Sequence, residues 1–145
     1  MIDLQYYPTP KWLAQRLWKG FRRPVTRPLD ACAGEGALAD AMPRDYHSRG
    51  PVIDCVELDA ARHPVLREKG YRVVGLDFLA FEAGCIYDSV SLNPPFAYGA
   101  THTLKAWDML WTGQIGVILN AETLRNPFSA ERKRLSELGK RLRGN

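Results

Sequence analysis

The chain has 145 residues, 46% hydrophobic and 25% charged, which suits one globular domain, 1–145, with a buried core. No apolar run approaches the length of a membrane span, and the start, MIDLQYYPTPKW, lacks the apolar region of a secretory signal. Three separated cysteines (Cys32, Cys55, Cys85) without a C-x-x-C argue against a disulfide scaffold and for a reducing, cytoplasmic setting.

The predicted elements alternate along the chain. Thr9-Pro10 before KWLAQRLWKGF predicts a helix start, with Thr9 as N-cap, Pro10 in the first turn and Gly20 marking the end. Leu13, Leu17 and Phe21, with Ala14 and Trp18, form its apolar face. A strand around 27–31 leads through a Gly-rich turn to a helix near 37–42. PVIDCVELD is a second strand, and AARHPVLREKG is a helix interrupted early by Pro64. Strands follow at 71–75 and 86–92, then a helix over 101–111 and a fifth strand, QIGVILN, over 114–120. Phe128, Leu135, Leu138 and Leu142 line one side of a final helix. This alternation predicts an α/β fold with a parallel sheet covered on both faces.

Several turns carry chemistry. Asp30-Ala-Cys-Ala-Gly-Glu-Gly-Ala-Leu-Ala39 contains a G-x-G-x-x-A pattern between strand and helix, where glycines allow a tight turn and close ligand approach. Glu57 ends the second strand 21 residues after Gly36, the spacing of an acid that binds both hydroxyls of a ribose. The alternative is a surface acid at a strand end. Asp77-Phe78 ends the third strand; there an Asp can accept from an adenine amino group and a Phe can pack on the ring, or the Asp can cap a helix. DSVSLNPPF ends the fourth. Its prolines make a rigid corner that holds the Asn93 amide and the Phe96 ring beyond the strand, where open α/β sheets bind ligands, although Asn-Pro also serves ordinary turns. His47, His63 and His102 are scattered without metal-ligand spacing; they read as surface or packing residues, and no metal is expected.

YYPTP, DACAGEG, CVELD, GLDFL and NPPF, in this order, resemble the motifs of S-adenosylmethionine-dependent amino-methyltransferases. The nearest group is the γ-type N6-adenine DNA methyltransferases, including those of phage and mobile elements, and the resemblance runs from Tyr6 to the last helix. It implies a Rossmann-like class I methyltransferase fold, strand order 3-2-1-4-5, with S-adenosylmethionine as cofactor. Tyr7, Thr9 and Pro10 would hold its methionine end. Asp30, Cys32, Gly34 and Gly36 would line the methionine and ribose region, Glu57 would bind the ribose hydroxyls, and Leu58 would pack on adenine. Asp77 and Phe78 would contact the adenine. Asn93, Pro94, Pro95 and Phe96 would form the methyl-acceptor site, with Phe96 stacked on the base. The implied reaction is methyl transfer to an exocyclic amino nitrogen, N6 of adenine in DNA.

RNA bases and protein glutamine are alternative acceptors, because their enzymes use similar NPP sites. A nicotinamide dehydrogenase shares the Gly turn and ribose acid but leaves NPPF, YPTP and Asp77-Phe78 without a role. A cofactor-binding partner domain without activity is a third reading. The family's fold usually has seven strands and five are predicted here, so the chain reads as a fragment, a natural short form or one piece of an assembly.

The net charge of +4 is uneven. Residues 1–29 carry six Lys and Arg against Asp3, residues 131–145 six against Glu131 and Glu137, and the stretch between is acidic. Basic ends suit a polyanion such as DNA, though a solvated helix face gives the same pattern. The fifth strand, apolar and uncharged over 114–120, is a poor edge to leave bare, which predicts self-association or a second subunit there.

Overall fold

A computed structural model describes residues 7–44, 52–110 and 112–143; Tyr6, His47, Pro51 and Trp111 lie outside the described residues, as do the side chains of Leu142 and Arg143. Among the described residues five parallel strands form one sheet: β1 (Pro28–Asp30), β2 (Asp54–Val56), β3 (Arg72–Gly75), β4 (Ser89–Leu92) and β5 (Gln114–Val117). Their order is β3-β2-β1-β4-β5, as expected. The central strands β1, β2 and β4 are buried throughout, so they read as short apolar or small-residue runs rather than alternating ones.

Among the described residues six helices accompany the sheet: α1 (Lys11–Lys19), α2 (Ala37–Ala41), α3 (His63–Glu68), α4 (Gly99–Met109), α5 (Glu122–Arg125) and α6 (Ala130–Arg143). One core gathers Trp18, Ala39, Cys55, Leu66 and Tyr71 between the sheet and the first three helices. A second, on the other face, gathers Leu29, Val56, Phe78, Val90, Leu92 and Ala106 of α4. Trp18 also donates its indole N–H to the Leu38 carbonyl at 2.7 Å, which fixes α1 against α2.

Several elements differ from expectation. Pro10, not Thr9, is the N-cap of α1, and no side chain caps that helix; Thr9 is engaged elsewhere. Pro64 does not interrupt a helix. A 3₁₀ turn, Ala60–Arg62, is capped by Asp59, and Pro64 sits in the first turn of α3, where its missing N–H costs nothing. The fourth strand starts three residues late, because Tyr87 turns its hydroxyl to Asp54 and Asp88 binds the amides of Thr26 and Arg27. The fifth stops at Val117. Asn120 then accepts from the Glu122 N–H and opens α5, a helix the sequence reading did not include. Phe128 lies before α6, 71% exposed, with the Arg132 guanidinium 4.3 Å from its ring centre. Leu135 of α6 packs on Ala100 and Leu104 of α4, with Leu119 and Leu138 beside them, so this helix covers another helix rather than the sheet.

β5 ends the sheet order, and its residues are half-buried. α1 lies so close over it that a Cβ on Gly116 would stand 2.7 Å from the Phe21 ring and 2.8 Å from Leu17. Glycine is required there by close approach.

Candidate active site

The carboxyl ends of β1 to β4 open on one cleft of about 390 Å³. In a parallel sheet the turns leaving this edge are free to take side chains suited to ligands rather than to packing. The β1 turn is tied down at both sides: the Ala31 N–H donates to the Ser91 carbonyl and the Ala33 N–H to the Val56 carbonyl, each at 3.0 Å. Cys32 and Gly34 line the cleft. Gly36 does not; it stands at the head of α2 with φ +94°, and a Cβ there would press on Tyr71 and Leu66. Its glycine therefore serves helix packing.

Glu57 is the best-anchored carboxylate on the wall. Oε1 accepts the Gly34 N–H at 2.8 Å and Oε2 the Asp59 N–H at 2.7 Å. Each carboxylate oxygen can accept a second hydrogen bond, so the group is held in place and can still take two donors. Asp77 also faces the cleft; one of its oxygens accepts the Leu79 N–H at 3.0 Å and caps a 3₁₀ turn, Phe78–Ala80. Capping and cleft-facing thus coexist in one side chain. Phe78 is buried, while Leu58, Leu76 and Leu79 are exposed apolar side chains along the same wall.

Asp30 ends β1 just behind the cleft, fully buried, and neither carboxyl oxygen has a well-aligned partner among the described residues. Burial raises its pKa to about 7; the Cys32 backbone N–H opposes the shift, and Glu57 and Asp40 add to it. Burial also pushes the Cys32 thiol up, as do the charges of Asp30, Glu57 and Asp77. Cys32 is therefore a neutral thiol at physiological pH, not a nucleophile.

The opposite wall is built from two distant segments. Asn93, at the end of β4, donates from Nδ2 to Thr9 Oγ1 at 2.8 Å. The Tyr7 ring stacks on Phe96, with centroids 5.2 Å apart and planes 26° apart. Tyr7, Thr9, Asn93 and Pro95 line the cleft. Pro10, Pro94 and Phe96 do not; Pro94 is buried, and one face of Phe96 is turned to Tyr7.

Solved structures of other proteins share this architecture. The methyltransferase subunit of the type I restriction-modification system from Streptococcus thermophilus is similar over 94% of this chain and 38% of its own, with TM-score 0.62 and 18% identity. TrmN from Thermus thermophilus is similar over 86% and 40%, with TM-score 0.57 and 23% identity. An S-adenosylmethionine-bound amino pentose methyltransferase from Micromonospora echinaspora is similar over 73% and 46%, with TM-score 0.52 and 23% identity. The fold is that of the class I methyltransferases. The chain spans less than half the length of each of these three proteins. No family model and no curated protein matches the sequence.

This methyltransferase fold brings further residues to the cleft that the motifs did not mark, chiefly Tyr98 and His102. His102, read from sequence as a surface or packing residue, is 8% exposed and stacks near Phe78, with centroids 6.0 Å apart. Its Nδ1 lies 2.9 Å from the Tyr98 carbonyl, which can only accept, so Nδ1 carries the proton. Burial holds its pKa below the ordinary histidine value, against the Tyr98 carbonyl and the charge of Asp77. The available signal was the four-residue spacing of Tyr98 and His102 just after NPPF, one helical turn.

Proposed function

We propose that the chain is an S-adenosylmethionine-dependent methyltransferase that acts on an exocyclic amino nitrogen, with N6 of adenine in DNA as the leading substrate. The observation that carries this reading is the Asn93 carboxamide, tethered through Nδ2, on the wall of the cleft that also holds Glu57. The residues present fit the cofactor. The cleft has the volume of a small-molecule site, Glu57 keeps two acceptor positions suited to a ribose diol, and Leu58, Leu76 and Leu79 offer apolar surface for a purine. Arg62 pairs with Asp59 on this wall at 3.5 Å, and Glu57 and Asp77 leave it an acidic character that suits a cationic ligand. When bound, the cofactor supplies an electrophilic methyl group.

An amino group on an aromatic ring is a poor nucleophile, because its lone pair is delocalised. Asn93 Oδ1 and the Pro94 carbonyl, by accepting its two N–H groups, favour a lone pair localised on nitrogen. Preorganised acceptors then replace a strong base. RNA bases and the glutamine side chain present the same N–H groups to the same acceptors. The similar proteins range from a restriction-modification methyltransferase subunit to an amino pentose methyltransferase, which supports methyl transfer more broadly than DNA methylation. In duplex DNA the adenine would have to leave the stack. The basic residues of α1 and α6 suit phosphate contacts, and β5 pairs on one side only among the described residues, which leaves an edge for a second subunit.

The test is to incubate the chain with methyl-labelled S-adenosylmethionine and DNA, RNA or protein. Label in N6-methyladenine of DNA is expected. Label in RNA or methylglutamine moves the substrate and keeps the chemistry. Cofactor binding without transfer to any of them leaves a partner domain.

A further inference from the structure

Thr9 makes an unexpected contact. It precedes α1, does not cap it, and reaches a residue 84 positions away. From this geometry we infer that Thr9 is a positioning residue of the methyl-acceptor site: its hydroxyl holds the plane of the Asn93 carboxamide, so that the acceptor amino group meets Oδ1 while Nδ2 stays on Thr9. The inference rests on the proposed methyl transfer and gives Thr9 a different task from holding the cofactor.

A carboxamide has two ends of nearly equal shape and opposite hydrogen-bond character. Turned one way, Asn93 offers Oδ1 to an amino group. Turned the other way, it sets N–H against N–H and repels it. A free asparagine side chain samples both states and many intermediate planes. Thr9 Oγ1, 2.8 Å from Nδ2, limits Asn93 to one plane. A hydroxyl can serve either end of the amide, so the last choice falls to the ligand. An amino group held by two acceptors only donates, so it takes Oδ1 and leaves Nδ2 to Thr9. The hydroxyl and the acceptor together define one orientation.

The second contact points the same way. Tyr7, two residues before Thr9, stacks on Phe96, three residues after Asn93. Both ends of the NPPF corner, half-buried Asn93 and exposed Phe96, are thus held by the segment 7–9. Prolines at 8 and 10 restrict that segment and limit the freedom of the tether.

The experiment compares Thr9→Val, Thr9→Ser and the wild-type full chain. Thr9→Val keeps the shape and removes the acceptor for Nδ2, while Thr9→Ser restores it. In the protein without ligand, the Asn93 side-chain NH₂, followed by ¹⁵N NMR, should exchange with water several-fold faster in Thr9→Val and return to the wild-type rate in Thr9→Ser. In turnover, kcat of Thr9→Val should fall by about a hundredfold, with the Kd for S-adenosylmethionine unchanged within about twofold and Thr9→Ser close to wild type. Unchanged Asn93 exchange in Thr9→Val would overturn the tether. A raised Kd with unchanged kcat would overturn it too, and would return Thr9 to the cofactor side. If the wild-type chain transfers methyl to no acceptor, the functional reading fails and the NMR comparison still decides the tether. Thr9→Ala provides the same comparison if valine disturbs the fold.

Discussion

At the amino edge of the sheet Asp54 is buried, but it accepts from Arg72 Nε and from the Tyr87 hydroxyl, both at 2.8 Å. Nearby Asp88 gathers Thr26, Arg27 and Ser89; burial alone would raise its pKa, and these hydrogen bonds outweigh that and lower it. Gln114 binds the backbone of Arg22 and Arg23 from both ends of its amide. At the carboxyl edge, Asp30 is buried as deeply as Asp54 with no aligned partner, and Glu57 is anchored with acceptor positions to spare. The same residue types thus satisfy each other at one edge and wait for something at the other. A buried polar group left unpaired costs stability, and proteins retain such groups where a ligand or reaction uses them. The contrast supports the carboxyl edge as the candidate working edge.

The strongest way to break this contrast is to neutralise the acid of each edge. Asp30 has a folded pKa of about 7, against roughly 3.9 for a free aspartate, so the folded state holds its proton more tightly. Its contribution to stability is present below pH 4 and is lost as pH rises through 7, on the order of 4 kcal/mol in all. Asp30→Asn should therefore flatten the pH dependence of stability and gain most at pH 8, whereas Asp54→Asn should destabilise at pH 5 and pH 8 alike. Urea unfolding at the two pH values measures both; a wild-type stability that does not fall between them removes the claim for Asp30.

Next in size is Asn93→Ala. Methyl transfer should drop by roughly a hundredfold or more, with cofactor affinity nearly intact. Single-turnover kinetics beside calorimetry separate the two, and retained transfer would show that NPPF is not the acceptor site. Glu57→Ala should weaken S-adenosylmethionine binding by about 1–3 kcal/mol through lost charge-assisted hydrogen bonds. A loss of stability with unchanged affinity would make Glu57 an amino-edge type of residue in the wrong place. Tyr87→Phe is the smallest change. It should cost about 1 kcal/mol of stability by removing one donor to Asp54, and leave cofactor titrations as they were.

The two edges also differ in how far sequence reaches them. The parallel sheet was legible because the strands and helices alternate, its order followed from the family resemblance, and the place of Glu57 and Asp77 on the cleft was legible because strand ends of such a sheet open on that edge. Tethers across the chain were not. Nothing local in YPTP says that Thr9 meets Asn93, and a Thr-Pro pair before a helix is a better cap by local rules than by its actual geometry. Asp54, Arg72 and Tyr87 come from three separate segments, so no spacing announces them. α5 was hidden by its four-residue length, and Phe128 was drawn into α6 by its apolar character although it lies outside the helix. Asp30 reached the motif but not the cleft, since a buried strand end and a lining residue share one sequence pattern.

The close fit of α1 over Gly116 has a consequence for how the chain comes off the ribosome. Leu17 and Phe21 are made almost a hundred residues before the strand they cover is finished. At roughly 5–20 residues per second that is a wait of several seconds. During it α1 can settle on α2 through Trp18 and Leu38, and Phe21 can pack on Trp18, but the contacts of Leu17 and Phe21 with β5 are still missing. The nascent chain therefore carries the β5-facing part of Leu17 and Phe21 uncovered until the fifth strand arrives. Pulse-labelled hydrogen exchange during refolding should find the β1–β4 amides protected first, with β5 and the α1 face closing last.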